Sequence, residues 1–270
     1  TTTSSVSTYK NPFSVSVFSL ATQNLTDNPT GRGSISSYNY LALGYKLSPN
    51  YKISARQIFF MDTAGIKRGK EISSTTQVSD LMLVFADYDL FKVGDSIRAI
   101  NSYRYTLPTS DFSKAQKTLG SFSLDLIVSK ELGQGLNLEL NLKPQINFQR
   151  EKTFEVADNS TNSSRKRDLQ TSYFQMENWL RASKVLASWV TFVQAIGYKD
   201  TYLNTDAEKE LMNKQLEDFL VSSSFKFFPS KLFDIEFGLS QKSATLGQTA
   251  SYGLYRPSET TYLLITNVRM

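Results

Sequence analysis

From Phe13 onward, apolar and polar side chains alternate at a period of two, the spacing of a strand with two unlike faces. The clearest case is 136–149. Leu136, Leu138, Leu140, Leu142, Pro144, Ile146 and Phe148 fall on one side, with Asn137, Glu139, Asn141, Lys143, Gln145, Asn147 and Gln149 on the other. Phe122/Leu124/Leu126/Val128, Phe219/Val221/Phe225/Phe227 and Phe233/Ile235/Phe237/Leu239 repeat the pattern. It predicts about twelve strands. Their ranges are 13–25, 35–47, 51–61, 77–89, 96–107, 118–131, 136–149, 170–183, 187–199, 216–228, 232–242 and 260–270. Strands of ~10–13 residues exceed the ~5–6 usual in globular sheets. Three are irregular: 80–88 and 189–196 are apolar on both faces, and the first changes its apolar face near Val17/Phe18. These suggest either strands covered inside by a loop or slips of register. Pro144 predicts a bulge or local distortion.

The connections sort by parity. Ser48-Pro49-Asn50, Phe91 to Asp95, Leu132 to Gly135, Lys184-Val185 and Pro229-Ser230-Lys231 are tight turns or minimal links. Between them run long polar segments at 62–76, 108–117, 150–169, 200–215 and 243–259. A two-layer soluble sheet could show the same two-faced strands, but it has no reason to alternate short with long connections. A transmembrane barrel does, because its periplasmic turns are short and its extracellular loops long. The expected fold is therefore all-β: a transmembrane antiparallel up-and-down barrel over 13–270, preceded by a periplasmic tail at 1–12.

Composition narrows the chemistry. The chain has 270 residues, no Cys and no His. It contains no run near the ~20 apolar residues of a membrane helix, and a barrel needs none. Missing Cys removes disulfides and thiolate metal sites. Missing His removes Ser-His and Cys-His nucleophile pairs and His-rich zinc sites, and no carboxylate pair or Ser-Lys spacing is singled out. The expectation is a protein without enzymatic activity, metal or cofactor. The first residues, Thr1 to Ser5, have no basic or apolar leader character, which suggests a signal peptide already cleaved. A net charge of +5 favours anionic partners such as lipid phosphate or an acidic solute. Nucleic acid is not expected, since only Arg165-Lys166-Arg167 clusters basic residues.

The segment Tyr262-Leu-Leu-Ile-Thr-Asn-Val-Arg-Met270 places Tyr262, Leu264, Val268 and Met270 on one face. It resembles the last strand of bacterial outer-membrane proteins, although those usually end in an aromatic residue. In size and strand number the chain resembles the twelve-stranded nucleoside-specific and acidic-oligosaccharide channels of Gram-negative bacteria. The resemblance implies an outer-membrane location, contact with outer-membrane lipid, and passive passage of small hydrophilic solutes by a monomer.

If the polar faces point inward, the wall carries Lys46, Lys52, Arg56, Arg98, Arg104, Lys143, Arg181 and Lys226 with Asp125, Glu139, Glu177, Asp234 and Glu236. Bases dominate strands two, three and five; acids are frequent on six, eight and eleven. Opposed across water they would set a transverse field; paired between neighbouring strands they would fill a closed barrel. A channel and a closed structural or partner-binding barrel both stay open. The aromatic pairs Tyr38/Tyr40, Phe59/Phe60 and Tyr103/Tyr105 are expected in interfacial girdles. Thr205-Asp206-Ala207-Glu208 reads as a capping box, predicting a short loop helix.

Overall fold

The computed structural model describes residues 11–27, 32–67, 70–94, 96–157, 166–204, 215–244 and 259–270. The capping box at 205–208 and the helical turn expected after it lie outside the described residues. Twelve antiparallel strands close into one barrel in up-and-down order. They are β1 Phe13–Asn24, β2 Ser36–Lys46, β3 Tyr51–Asp62, β4 Thr75–Val93, β5 Ile97–Leu107, β6 Thr118–Gly133, β7 Leu136–Gln149, β8 Ser172–Ala187, β9 Val190–Leu203, β10 Gln215–Ser230, β11 Phe233–Ala244 and β12 Thr260–Arg269. Closure runs from β12 back to β1, with Ser16 opposite Arg269 and Asn24 opposite Thr261, so no sheet edge is left open.

The strands arise where alternation is strongest and stop where turn chemistry intervenes. Between β6 and β7, Gly133, Gln134 and Gly135 have φ of 85°, 51° and 72°, a left-handed path that glycine adopts without steric cost. The five short turns gather at one end of the barrel, together with the start of β1 and the finish of β12. The long connections gather at the other. They carry two small hairpins, Gly65–Lys67 with Lys70–Ile72 and Thr153–Ala157 with Lys166–Gln170. The segment 150–169 is thus partly sheet rather than plain loop. Residues 200–203, expected in a loop, extend β9.

A short helix, Asp111–Ala115, closes the connection after β5. The Ser110 side chain caps it by accepting from the Ser113 N–H at 3.1 Å. Asp80 on β4 anchors the helix, accepting from the Ser110 N–H at 2.8 Å and from the Ser113 hydroxyl.

Of the bulge or local distortion expected at Pro144, the structure shows the distortion without a bulge. β7 keeps register with β8, where Pro144 lies opposite Met176. Toward β6 the ladder lapses between Ser123↔Gln145 and Leu126↔Leu142 and resumes in the same register. The proline has no N–H to donate, so it interrupts pairing on one side without inserting a residue.

Directly opposed residues on antiparallel neighbours share a face, so the registers assign inside and outside around the whole ring. Leu136, Leu138, Leu140, Leu142, Ile146 and Phe148 face out, as do Leu41, Leu43, Leu83, Phe85, Tyr103, Phe225 and Phe237. Many of these large apolar side chains are exposed, as on a surface that meets lipid. In β1, Val15 and Val17 face out while Phe18 and Leu20 face in. In β4, Leu81, Leu83 and Phe85 face out while Met82, Val84 and Ala86 face in. β4 keeps one register from Leu81 to Asp87 and shifts at both ends, against β3 between Gln57 and Phe59 and against β5 between Asp87 and Phe91. Between those shifts its inward side is itself apolar.

Candidate functional site

The candidate site is the inner wall. All eleven sequence-derived candidates lie on inward positions: Lys52, Arg56, Arg98, Arg104, Asp125, Glu139, Lys143, Glu177, Arg181, Asp234 and Glu236. Period-two alternation puts them there, since each stands one residue away from an outward apolar side chain.

Of the two arrangements open from the sequence, the described ion pairs follow pairing between neighbouring strands rather than opposition across the lumen. Arg104 pairs with Asp125 on the adjacent strand. Lys143 meets Glu177 at 3.1 Å, and Arg181 meets Glu139 at 3.1 Å. Asp234, almost fully buried, takes Arg269 at 2.7 Å and Lys226 at 3.4 Å. Glu236 accepts from the buried Ser224 hydroxyl at 2.5 Å. Asp125, Glu139, Glu177 and Asp234 are thus neutralised locally, between neighbouring strands, while Glu236 takes a neutral donor. The transverse field between two walls is replaced by short ladders of paired charge, because partners one strand apart lie within direct contact distance. Arg98 donates to the Tyr88 carbonyl from Nη2 at 2.5 Å and from Nε at 3.2 Å. Lys52 and Arg56 form no ion pair among the described residues.

Sequence reasoning missed how unevenly the wall is divided. From β5 to β11 most inward positions are polar or charged, with the apolar Ile100, Ile127, Trp179, Val193, Ala195, Leu216 and Leu220 set among them. On β1 to β4 and β12 it carries Phe18, Leu20, Tyr38, Tyr40, Ile58, Met82, Val84, Leu263 and Ile265. Phe18 and Tyr40 stack with centroids 4.9 Å apart and planes 9° apart, and Tyr38 meets Phe18 edge-on at 6.2 Å. Tyr38 and Tyr40 are therefore inner-wall residues, not girdle residues; their parity relative to Leu41 and Leu43 was the available signal. Tyr103 and Tyr105 do face outward. Trp179 was also missed: it faces inward, lies flat against Gly197, and donates from Nε1 to Glu177 at 2.8 Å.

Two hollows touch this wall. One of about 100 Å³ lies among Arg104, Ser123, Lys143, Gln145, Gln175, Glu177 and Lys199. Another of about 400 Å³ sits at the turn end beside Arg98, Ser129, Glu131 and Asn137. A third concavity, about 580 Å³, is an apolar groove bordered mainly by outward-facing Leu43, Tyr45, Ile53, Leu83, Phe85 and Tyr103. Among the described residues no cluster of three or more acidic side chains is arranged to hold a metal.

An apolar exterior, a polar and charged interior, and short turns opposite long connections define a β-barrel of the outer-membrane class. No family model and no curated protein sequence matches the chain. Solved structures with a similar fold include the translocator domain of autotransporter NalP from Neisseria meningitidis, at 10% identity and TM-score 0.47, covering 97% of this chain and 89% of that one. The β domain of the Bordetella autotransporter BrkA has 9% identity and TM-score 0.47, covering 96% of this chain and 98% of its own. LpxR from Salmonella typhimurium has 7% identity and TM-score 0.42, with 94% and 99% covered. The expectation of a chain without enzymatic activity is withdrawn. Barrels of this kind do carry enzymes, and a missing histidine excludes only histidine-dependent chemistry.

Proposed function

We propose that the protein is an outer-membrane channel for passive passage of small hydrophilic solutes. The observation that supports this reading is the set of polar and charged side chains on the inner wall, among them Arg104, Asp125, Lys143, Glu177, Arg181 and Glu139, beside hollows of about 100 and 400 Å³. An interior meant only to fill space is better served by apolar packing, since buried ions must recover a desolvation cost of several kcal/mol each. A wetted wall avoids that cost. Lys52, Arg56, Arg98, Arg104, Asp125, Glu139, Lys143, Glu177, Arg181, Asp234 and Glu236 are the proposed pore-lining residues. The short turns and residues 1–12 are assigned to the periplasm and the long connections to the cell exterior. The outer face takes membrane lipid as its partner.

The apolar inner half supports a second reading, a closed barrel whose extracellular connections bind a partner. Planar-bilayer recording separates the two. Discrete, ohmic conductance steps are expected from the purified protein. A protein that inserts fully, as shown by protease protection of its strands, yet never conducts would leave the closed barrel standing.

A further inference from the structure

Arg56 is the inward-facing arginine whose surroundings differ most from its neighbours'. It stands near the middle of β3, flanked on the same face by Ala42 of β2 and Met82 of β4. Its guanidinium carbon lies 5.0 Å from the centroid of the Tyr40 ring, which itself stacks on Phe18. Its Nε is buried without a hydrogen-bond partner, whereas its terminal nitrogens are not among the buried, unpartnered atoms. Among the described residues no hydrogen bond or ion pair is made to those nitrogens, so their donors are unused.

Four residues earlier on β3, with Ser54 between them on the same face, Lys52 faces the same way. It crosses Gly44, where a Cβ would come within 2.3 Å of its Cε and 3.0 Å of its Nζ. The missing side chain at position 44 is what lets the lysine lie along the wall. Elsewhere on the inner wall Arg104, Lys143, Arg181, Lys226 and Arg269 each have a carboxylate within contact. Arg56 and Lys52 have none, and they sit against the apolar half rather than the polar half.

We infer that Arg56 and Lys52, with Tyr40 and its Phe18 stack, form a binding site for small aromatic carboxylates. The chemistry follows from what each group leaves unused. A guanidinium with one face over a ring keeps its edge N–H donors for a carboxylate, which matches them in a bidentate fork. Lys52 adds a second positive charge without a competing acid. Phe18, Tyr40, Ile58 and Met82 offer an apolar flank for a planar ring, a contact worth more than burial alone. An anion without a ring gains only the first part; a neutral arene gains only the second.

The physiological meaning of the site, recognition of a passing solute, rests on the channel reading, but the site itself does not. Two measurements on the detergent-solubilised full chain therefore run side by side: calorimetric binding of benzoate, and block of single-channel current by benzoate. Saturable benzoate binding is expected, with acetate clearly weaker. Arg56→Gln should lower benzoate affinity roughly tenfold, the size of one lost charge-assisted contact. Lys52→Gln should lower it by less, and Lys242→Gln, whose charge is already paired with Asp218 at 2.9 Å, should leave it unchanged.

Should Arg56→Gln fail to give a folded, heat-modifiable barrel, Tyr40→Leu with Lys52→Gln carries the same expectation. Equal affinity for benzoate and acetate, or equal loss in the Arg56 and Lys242 variants, overturns the inference. Binding without conductance defeats the channel reading and leaves the site intact. Conductance without benzoate binding does the reverse.

Discussion

Two glycines show how closely neighbouring backbones and rings approach the inner wall. A Cβ at Gly238 would lie 2.2 Å from the Ser223 carbonyl oxygen and 2.6 Å from Ser224 Cα, both backbone atoms. At Gly197 it would lie 2.7 Å from the Trp179 ring, a side chain that can move. Gly238→Ala should therefore cost more than Gly197→Ala, with the former at the upper end of the ~1–3 kcal/mol typical of overpacking. Urea midpoints of the two variants refolded into vesicles will show the order. Asp234 poses an electrostatic version of the same question. It neutralises both Lys226 and Arg269 while almost fully buried. Asp234→Asn leaves two cations without a counter-charge, so the folded state should lose about 3 kcal/mol. The reversal potential in a salt gradient should also move toward anion preference.

At the level of elements, one side chain ties the helix of the connection after β5 to β4. Asp80 accepts from both Ser110 and Ser113, which fixes the helix Asp111–Ala115 against β4. The helix is too short to persist alone. Asp80→Ala should release it, and limited proteolysis within 108–117 should quicken while cleavage elsewhere stays the same. Equal rates in the two proteins would mean that the helix is held by other contacts. The strands themselves were legible in the sequence, and 136–149 matches β7 at both ends. What stayed open were readings that needed a neighbour. Pro144 suggested a bulge or a distortion, and whether a missing N–H shifts register or merely skips a pair depends on the strand that faces it. Similarly, two apolar faces in β4 looked irregular because the wall it joins was unknown.

For the molecule as a whole, the apolar exterior sets the environment in which it is stable. Leu140 faces outward near the middle of β7 and is exposed. Leu140→Arg should destabilise the barrel in a bilayer by ~2–4 kcal/mol, the depth-dependent cost of a cation at the membrane midplane. Asn141→Ser, one residue away but facing inward, should cost much less. Refolding yields in vesicles at graded urea will compare them, and equal losses would contradict the assignment of faces.

The sequence by itself determined the strand positions, the parity of the connections and the identity of the inward charges. All of these follow from a period-two backbone that sends neighbouring side chains to opposite sides. Tertiary structure alone decided which charges meet. Arg104 found Asp125, and Lys143 found Glu177, through registers between strands that no single strand encodes. It also gathered Phe18, Tyr38 and Tyr40 into an apolar half-wall and left Arg56 and Lys52 there without an acid. A strand's pattern says which side of the sheet a residue takes; only closure of the barrel says what stands beside it.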